Sequence, residues 1–236
     1  MTWFARFYLW ATHRLYDEFA WAYDLASWLV SLGRWSSWRR LALDHVDGQR
    51  VLEVGFGTGE LLLELGVREL EVVGLDLSPA MHRVTARKLN RKGVEIPRVC
   101  ASAQRMPFAD RWFDSIVCTF PAGYILEQAT LQEVARLLCP PNPITGKRGG
   151  RFIVVGMVVR SDHWLWRRAM QFLFGDQEEA AVDGFKRLAS GAGLRVQVLE
   201  QEGGGLQVPV VLTELQSVGD QTGTRSTAMQ VEQMRA

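Results

Sequence analysis

The stretch Val51-Leu-Glu-Val-Gly-Phe-Gly-Thr-Gly-Glu60 decides the fold of this chain. It begins as an apolar run of strand type, carries an acid at Glu53, and continues with glycines at alternate positions, Gly55, Gly57 and Gly59. Glycine adopts the backbone conformations that a tight turn from a strand into a helix requires, and it lets a ligand approach the backbone. The stretch therefore predicts a strand, a glycine turn and the start of a helix.

A second apolar run, Glu71-Val-Val-Gly-Leu-Asp-Leu77, carries its own acid, Asp76. Parallel strands joined by a helix have their carboxyl ends at one edge of a sheet, so Asp76 should lie beside the glycine turn and suit two ribose hydroxyls. The glycine spacing departs from the G-x-G-x-x-G dinucleotide pattern. Glu53, so close to the helix start, disfavours a phosphate and favours a cation. Together these features predict a nucleoside cofactor, and they disfavour an NAD-dependent oxidoreductase.

Strands and helices alternate along the middle of the chain, which indicates a parallel sheet with helices on both faces. Strands are predicted at 50–54, 71–75, 98–100, 115–120 and 150–159, and helices at 60–65, 78–92 and 129–138. Segments 194–201 and 207–215 flank a run of three glycines and are predicted to form a closing antiparallel hairpin. The predicted fold class is α/β, a Rossmann-like, doubly wound, mainly parallel seven-stranded sheet with a C-terminal antiparallel hairpin and an N-terminal helical extension.

We expect three regions: an N-terminal helical cap over 1–46, a cofactor-binding domain over 47–216 with a lid insertion at about 161–190, and a flexible polar tail over 217–236. Six of the nine tryptophans lie in the cap, and Trp164 and Trp166 lie in the lid. These aromatic segments favour three interpretations that remain open, namely packing alone, a lid over a hydrophobic substrate, or peripheral contact with a membrane surface.

Composition narrows the function classes further. The 236 residues carry a net charge of +1, which disfavours a nucleic-acid partner. The three cysteines occur at irregular spacing without a CxxC motif, so neither a disulfide framework nor a metal site is expected. Because the N-terminus lacks the pattern of a signal peptide and no run of about 18 apolar residues occurs, we expect a cytoplasmic protein without a membrane-spanning helix.

Four stretches resemble the successive motifs of class I S-adenosylmethionine-dependent methyltransferases, and they are 51–59, 73–81, 103–108 and 113–117. The similarity is to the small-molecule branch that includes ubiquinone and menaquinone C-methyltransferases, the methyltransferase type 11 domain. It implies that S-adenosyl-L-methionine is the cofactor and S-adenosyl-L-homocysteine the product. It also implies direct in-line methyl transfer to a small, hydrophobic or aromatic acceptor. The alternative is a non-catalytic S-adenosylmethionine-binding module of the same fold.

The resemblance implies roles at the methionine and ribose end of the cofactor. Glu53 and the backbone of 55–59 would hold the methionine moiety, and Asp76 would bind the ribose hydroxyls. Phe120 would lie near the sulfonium, and Tyr23 would cover the methionine.

At the adenine end, the resemblance implies that Leu77 and Met81 sandwich the ring, while Ser102 and Ala103 meet its edge. The family usually has an aspartate where this chain has Ser102. A neutral hydroxyl accepts a weaker hydrogen bond than a carboxylate, so adenine recognition should be weaker by about 1 kcal/mol.

No residue stands out as a catalytic base. The sulfonium already activates the methyl group, so alignment alone can supply about 7–11 kcal/mol and a base is optional. Tyr16, Tyr124 and His163 are candidates for this role. The acceptor, the atom that is methylated and the oligomeric state do not follow from the sequence.

Overall fold

The computed structural model describes residues 35–121, 123–142, 146, 148–157, 178–203 and 206–216. Within these residues the strands are β1 (Arg50–Val54), β2 (Glu71–Asp76), β3 (Arg98–Cys100), β4 (Ser115–Thr119), β5 (Arg151–Val155), β6 (Leu194–Gly203) and β7 (Leu206–Leu215). The α-helices are α1 (Trp35–Arg40), α2 (Glu60–Gly66), α3 (Pro79–Lys92), α4 (Gln128–Leu137) and α5 (Glu178–Gly191). Two short 3-10 helices span Leu41–His45 and Gly123–Leu126.

The described strands form one seven-stranded sheet in the order β3-β2-β1-β4-β5-β7-β6. Strands β1 to β5 are parallel, and β7 pairs antiparallel with both β5 and β6. This arrangement confirms the predicted fold class, including the antiparallel hairpin. The chain runs outward from β1 to β3 and then returns to β4 on the other side of β1. The carboxyl ends of β1 and β4 therefore form the switch point at which doubly wound sheets bind ligands.

Helix α3 begins and ends where its sequence signals predict. The Ser78 hydroxyl accepts a hydrogen bond from the backbone amide of Met81, and Pro79 occupies the first turn. At the other end Gly93 adopts a left-handed conformation, with φ of 65°, and its amide bonds to carbonyls of the last turn. This helix starts at Pro79, three residues after Asp76, so its fixed N-terminus also fixes the tip of β2.

Successive residues of β1 face opposite layers of the molecule because side chains alternate along a strand. Val51 packs in the layer of α2 and α3, whereas Leu52 and Val54 pack in the layer of α4 and α5. Glu53 shares its face with Val51, so its carboxylate points into the first layer. Trp38 of α1 is buried in that same layer. The N-terminal segment therefore covers the face that carries Glu53.

Residues 178–190 of the predicted lid insertion at 161–190 belong to helix α5. Its Phe185 and Ala189 are fully buried against the sheet, with the rings of Phe185 and Phe152 6.5 Å apart. The apolar face of α5 is thus part of the core, and the lid stays a prediction. Residues 161–177 lie outside the described residues, as do 1–34 of the predicted cap and the predicted tail.

Strand β5 is also shorter than the predicted range 150–159, because it ends at Val155. Gly156 follows with φ of 77°, and the ring of Phe120 occupies the space that a Cβ would fill there. A left-handed residue leaves the extended conformation that a strand requires. The close packing of an aromatic ring on this glycine therefore ends β5 at the edge where β4 also ends.

Candidate cofactor site

The predicted site residues come together at the carboxyl ends of β1, β2 and β4. The backbone amide of Gly55 donates to the carbonyl of Leu75 over 2.7 Å, which joins the glycine turn to β2. The Thr85 hydroxyl of α3 donates to the carbonyl of Gly57 over 2.9 Å. The turn is thus held from two sides before any ligand binds, which limits the ordering that binding has to impose.

The three glycines of the turn serve different purposes. All three have positive φ, of 74° at Gly55, 53° at Gly57 and 77° at Gly59. A Cβ at Gly55 would collide with the Tyr124 hydroxyl, and one at Gly59 would collide with the side chain of Thr85. A Cβ at Gly57 would meet no atom of the described residues within 4 Å. Packing therefore requires glycine at the two outer positions, whereas the middle one borders open space that a ligand can enter.

Asp76 is fixed by backbone amides on both of its oxygens. Gly57 donates to Oδ2 and Ser78 donates to Oδ1, each over 2.8 Å. Burial raises the pKa of Asp76 and outweighs these hydrogen bonds, which lower it. An ionised carboxylate has about four lone-pair sites, so each oxygen keeps capacity for one further donor. This arrangement suits a pair of ribose hydroxyls.

Glu53 is a buried acid without a full set of partners. Its side chain is only 2% exposed, and Oε2 has no hydrogen-bond partner within the part of the chain that the structure describes. Burial raises the pKa of Glu53 well above its ordinary range, while the positive charge of Arg39 opposes that shift. An unsatisfied buried carboxylate costs free energy unless a cation or donor completes it. The α-ammonium of a methionine moiety has the charge and the donors that Oε2 lacks, so these residues fit S-adenosylmethionine.

Arg39 was not predicted as a site residue, although it is the cation that acts on Glu53. It is buried, and its guanidinium lies 3.3 Å from a carboxylate oxygen of Glu64 and 3.8 Å from one of Glu60. Arg40 pairs with Glu64 over 2.9 Å. These ion pairs attach α1 to α2 directly after the glycine turn. The sequence shows two arginines at the end of a helix, which is an ordinary surface pattern and carries no signal for this contact.

Phe120 lies at the end of β4 in a backbone conformation that is rare for a residue with a side chain. Its φ is 50°, and its amide donates to the carbonyl of Val155 over 2.7 Å. Its ring lies 6.3 Å from the ring of Trp38. Non-glycine residues in this region carry strain that surrounding structure must offset, and such strain is concentrated at functional sites. The two rings form an aromatic wall on the face of the sheet that carries Glu53.

Tyr124 lies on the opposite side of the glycine turn. Its hydroxyl packs over Gly55 and lies 3.2 Å from the thiol of Cys118. Burial raises the pKa of Cys118 to about 12, so this thiol is neutral at physiological pH and is no nucleophile. Tyr124 therefore touches the turn that would hold the cofactor, and a catalytic role for it stays a prediction. Tyr16, Tyr23 and His163 lie outside the described residues.

The predicted adenine residues divide into exposed and buried groups. Leu77 is 67% exposed at the tip of β2 and can cover one face of a ring. Met81 of α3 is fully buried in the core, and its contact with adenine stays a prediction. Ala103 is buried, and the hydroxyl of Ser102 is hydrogen-bonded to Gln104.

His82 contributes a contact that the sequence did not predict as part of the site. Its Nε2 lies 3.1 Å from the carbonyl oxygen of Asp76, and its ring packs edge-on against Phe56 of the glycine turn at 4.8 Å. It therefore links the tip of β2 to the turn. Among the described residues, no group of histidine, cysteine or acidic side chains has the arrangement of a metal site. No described helix is long and apolar enough to span a membrane.

Comparison with known proteins agrees with this site. Residues 51–141 match the family described as methyltransferase domain. A demethylmenaquinone methyltransferase of Thermus thermophilus is 34% identical over 147 residues, which cover 60% of this chain and 63% of that protein. A ubiquinone/menaquinone biosynthesis C-methyltransferase of Geotalea uraniireducens is 32% identical over 133 residues, which cover 52% of this chain and 57% of the relative. The chain thus spans only part of the length of these relatives.

A solved S-adenosylmethionine-dependent methyltransferase from Clostridium acetobutylicum superimposes with a TM-score of 0.57 at 15% identity. The match covers 78% of this chain and 92% of that one. At this identity the likeness concerns the fold alone. The resemblance drawn from the four sequence motifs is confirmed: residues 51–141 match a methyltransferase domain family, and the described sheet has the α/β fold of the solved S-adenosylmethionine-dependent methyltransferase.

Proposed function

We propose that this protein transfers the methyl group of S-adenosylmethionine to a small hydrophobic or aromatic acceptor. The observation that carries the proposal is the buried Oε2 of Glu53, which has no hydrogen-bond partner among the described residues, near the end of the strand that leads into the glycine turn. A structural turn needs no buried carboxylate without a partner, because such a group destabilises the protein that contains it. A cationic ligand that pairs with the carboxylate accounts for this feature.

Each residue of the site would then have a definite part. When bound, S-adenosylmethionine supplies a methyl group on a positively charged sulfur that a nucleophile can attack directly. Glu53 would accept hydrogen bonds from the α-ammonium, and Asp76 would accept them from the ribose hydroxyls. Phe120 and Trp38 would exclude water from the reacting face, which strengthens electrostatic interactions there. The chain would thereby act by binding, orienting and shielding, without a dedicated acid or base.

The acceptor class follows from two kinds of support. The Thermus and Geotalea relatives carry names that refer to menaquinone and ubiquinone, whose reduced quinol rings are aromatic. Phe120, half-buried at the switch point of the sheet and backed by the buried ring of Trp38, offers an aromatic contact of matching chemistry. A quinol-type ring with a long or short apolar tail is therefore the first acceptor to test.

The decisive experiment is an acceptor screen with the purified full chain. S-adenosylhomocysteine formation would be measured with S-adenosylmethionine and a panel of quinols, catechols and other small phenols. We expect product with at least one quinol-type ring and loss of product in Asp76→Asn, while Glu71→Gln at the amino end of the same strand serves as the matched control. Tight cofactor binding without turnover across the whole panel would favour the non-catalytic module. Binding of NAD in place of S-adenosylmethionine would refute the proposal.

A further inference from the structure

A chain of three hydrogen-bonded side chains lies beside the predicted adenine position, and none of its contacts follows from the methyltransferase motifs. The Ser102 hydroxyl donates to Oε1 of Gln104, and the backbone amide of Gln104 donates back to Oγ of Ser102 over 3.2 Å. The side-chain amide of Gln104 donates to Oε2 of Glu127 over 2.9 Å. Glu127 immediately precedes helix α4 and belongs to a different part of the chain.

The donors and acceptors in this chain have a fixed order. An ionised carboxylate only accepts, so Gln104 must present its NH2 group to Glu127. The carbonyl oxygen of Gln104 then faces Ser102, and the single hydroxyl proton of Ser102 is committed to it. Glu127 is the residue at the N-cap of helix α4, and its Oε2 is the acceptor in the hydrogen bond from Gln104. The carboxylate thereby determines the orientation of the hydroxyl two side chains away.

Ser102 can accept one further hydrogen bond but can donate none. Of the two lone pairs on Oγ, one accepts from the amide of Gln104 and the other remains. Since its proton is already donated, the hydroxyl can offer an acceptor to a ligand and cannot offer a donor. A free serine hydroxyl would rotate and serve as either one.

The position of Ser102 relative to Asp76 places this acceptor beside the nucleoside base. The amide of Ala101 donates to the backbone carbonyl of Asp76 over 3.3 Å, so the loop after β3 starts against the residue proposed to bind the ribose. Leu77, which is exposed, follows Asp76 directly, and its carbonyl accepts a hydrogen bond from the thiol of Cys100 at the end of β3. A base attached to a ribose at Asp76 would extend along this loop toward Ser102.

We propose that Gln104 and Glu127 set the nucleobase specificity of the site, by orienting Ser102 as an acceptor that reads the 6-amino group of adenine and rejects a 6-oxo group. Adenine presents a donor at this position, which Ser102 can accept. Hypoxanthine presents an acceptor there, which would face a lone pair and remain unpaired, and an unpaired buried polar group is costly. The proposal rests on the proposed function, because it assumes that the site holds a nucleoside.

Equilibrium binding of two products tests the proposal without any methyl transfer. Dissociation constants for S-adenosylhomocysteine and S-inosylhomocysteine would be measured calorimetrically for the wild type, Glu127→Gln, Gln104→Ala and the control Gln197→Ala. Gln197 is an exposed glutamine on the far edge strand β6. We expect the wild type and the control to prefer the adenosyl compound by about tenfold or more, the effect of one mispaired polar group.

In Glu127→Gln and Gln104→Ala the hydroxyl of Ser102 can rotate, so the preference should fall by at least about threefold through tighter binding of the inosyl compound. Adenosyl binding should change by less than about twofold, because the hydroxyl can still accept. An unchanged preference in both variants would overturn the inference and leave the proposed function intact. Failure of the wild type to bind S-adenosylhomocysteine at all would overturn both.

Discussion

Replacing Glu53 with glutamine should move cofactor affinity and protein stability in opposite directions. The substitution keeps the size of the side chain and removes the charge of a fully buried carboxylate whose Oε2 has no partner among the described residues. If that oxygen accepts a hydrogen bond from the cofactor ammonium, one charge-assisted bond is lost. Such bonds contribute about 1.5–3 kcal/mol, which corresponds to about 10–150-fold weaker binding of S-adenosylhomocysteine.

The effect on stability follows from the pKa of Glu53, which burial raises well above its ordinary range. Because the pKa of Glu53 is higher in the folded state than in the unfolded state, its carboxyl group destabilises the fold least at low pH, where it is protonated. Its contribution to the free energy of unfolding is lost as the pH rises through the folded-state pKa. Glutamine stays neutral at every pH. Glu53→Gln should therefore melt at a higher temperature than the wild type above neutral pH, and the difference should shrink as the pH falls.

Proton release on cofactor binding gives a third, independent test. A bound ammonium favours the ionised form of Glu53, so cofactor binding to the wild type should release a proton and should strengthen as the pH rises. Calorimetry in two buffers of different ionisation enthalpy measures this release, which should vanish in Glu53→Gln.

The control is Glu71→Gln, which removes an exposed acid at the amino end of β2 and should leave affinity, proton release and melting temperature unchanged. Unchanged affinity in Glu53→Gln together with a lower melting temperature would refute the reasoning, because Glu53 would then be a satisfied structural acid.

Four further substitutions test other parts of the site and of its support. Gly57→Ala should destabilise the fold by only about 1–2 kcal/mol, the cost of a left-handed alanine. It should nevertheless abolish cofactor binding, because its methyl group enters the open space. Gly59→Ala should be more destabilising, since its methyl group collides with the side chain of Thr85. Both effects are measured by urea unfolding and by titration with S-adenosylhomocysteine. Ser102→Asp should tighten that binding about fivefold, or by about 1 kcal/mol, through a charged acceptor, and unchanged or weaker binding would contradict this. Glu133→Gln should lower the free energy of unfolding by about 1–3 kcal/mol at neutral pH, because hydrogen bonds from Arg136 hold the pKa of Glu133 below its ordinary range. This loss should fade as the pH falls through that lowered pKa. A loss that does not depend on pH would contradict the prediction.

Local features of the sequence were sufficient to locate the main elements of the sheet. The predicted strand 98–100 and the start of β1 at Arg50 agree with the structure, and helix α3 begins at the proline that follows its serine cap. These boundaries depend on residues within a few positions of each other, such as a cap or a glycine turn. Short-range signals of this kind are present in the sequence itself. The glycine turn and its two acids were also recognised from such short-range patterns.

Several features of the site depended on contacts between distant segments. Met81 has the spacing of an adenine contact, yet helix packing turns its side chain into the core. Arg39 of helix α1 acts electrostatically on Glu53 of strand β1. The segment 178–190 is a core helix because its apolar face packs on the sheet. None of these outcomes is encoded by neighbouring residues, since each arises from burial against a remote element.

The sequence by itself determined that this protein has an acid, a glycine turn and a second acid at the edge of a parallel sheet, and therefore a nucleoside site. Only the tertiary structure decided which polar atoms of that site are satisfied and which are left for a ligand. Oε2 of Glu53 has no hydrogen-bond partner in the part of the chain that the structure describes, whereas the hydroxyl of Ser102 is already committed to Gln104 and, through it, to Glu127. Hydrogen-bond satisfaction depends on three-dimensional proximity and burial, which a linear pattern of residue types does not specify.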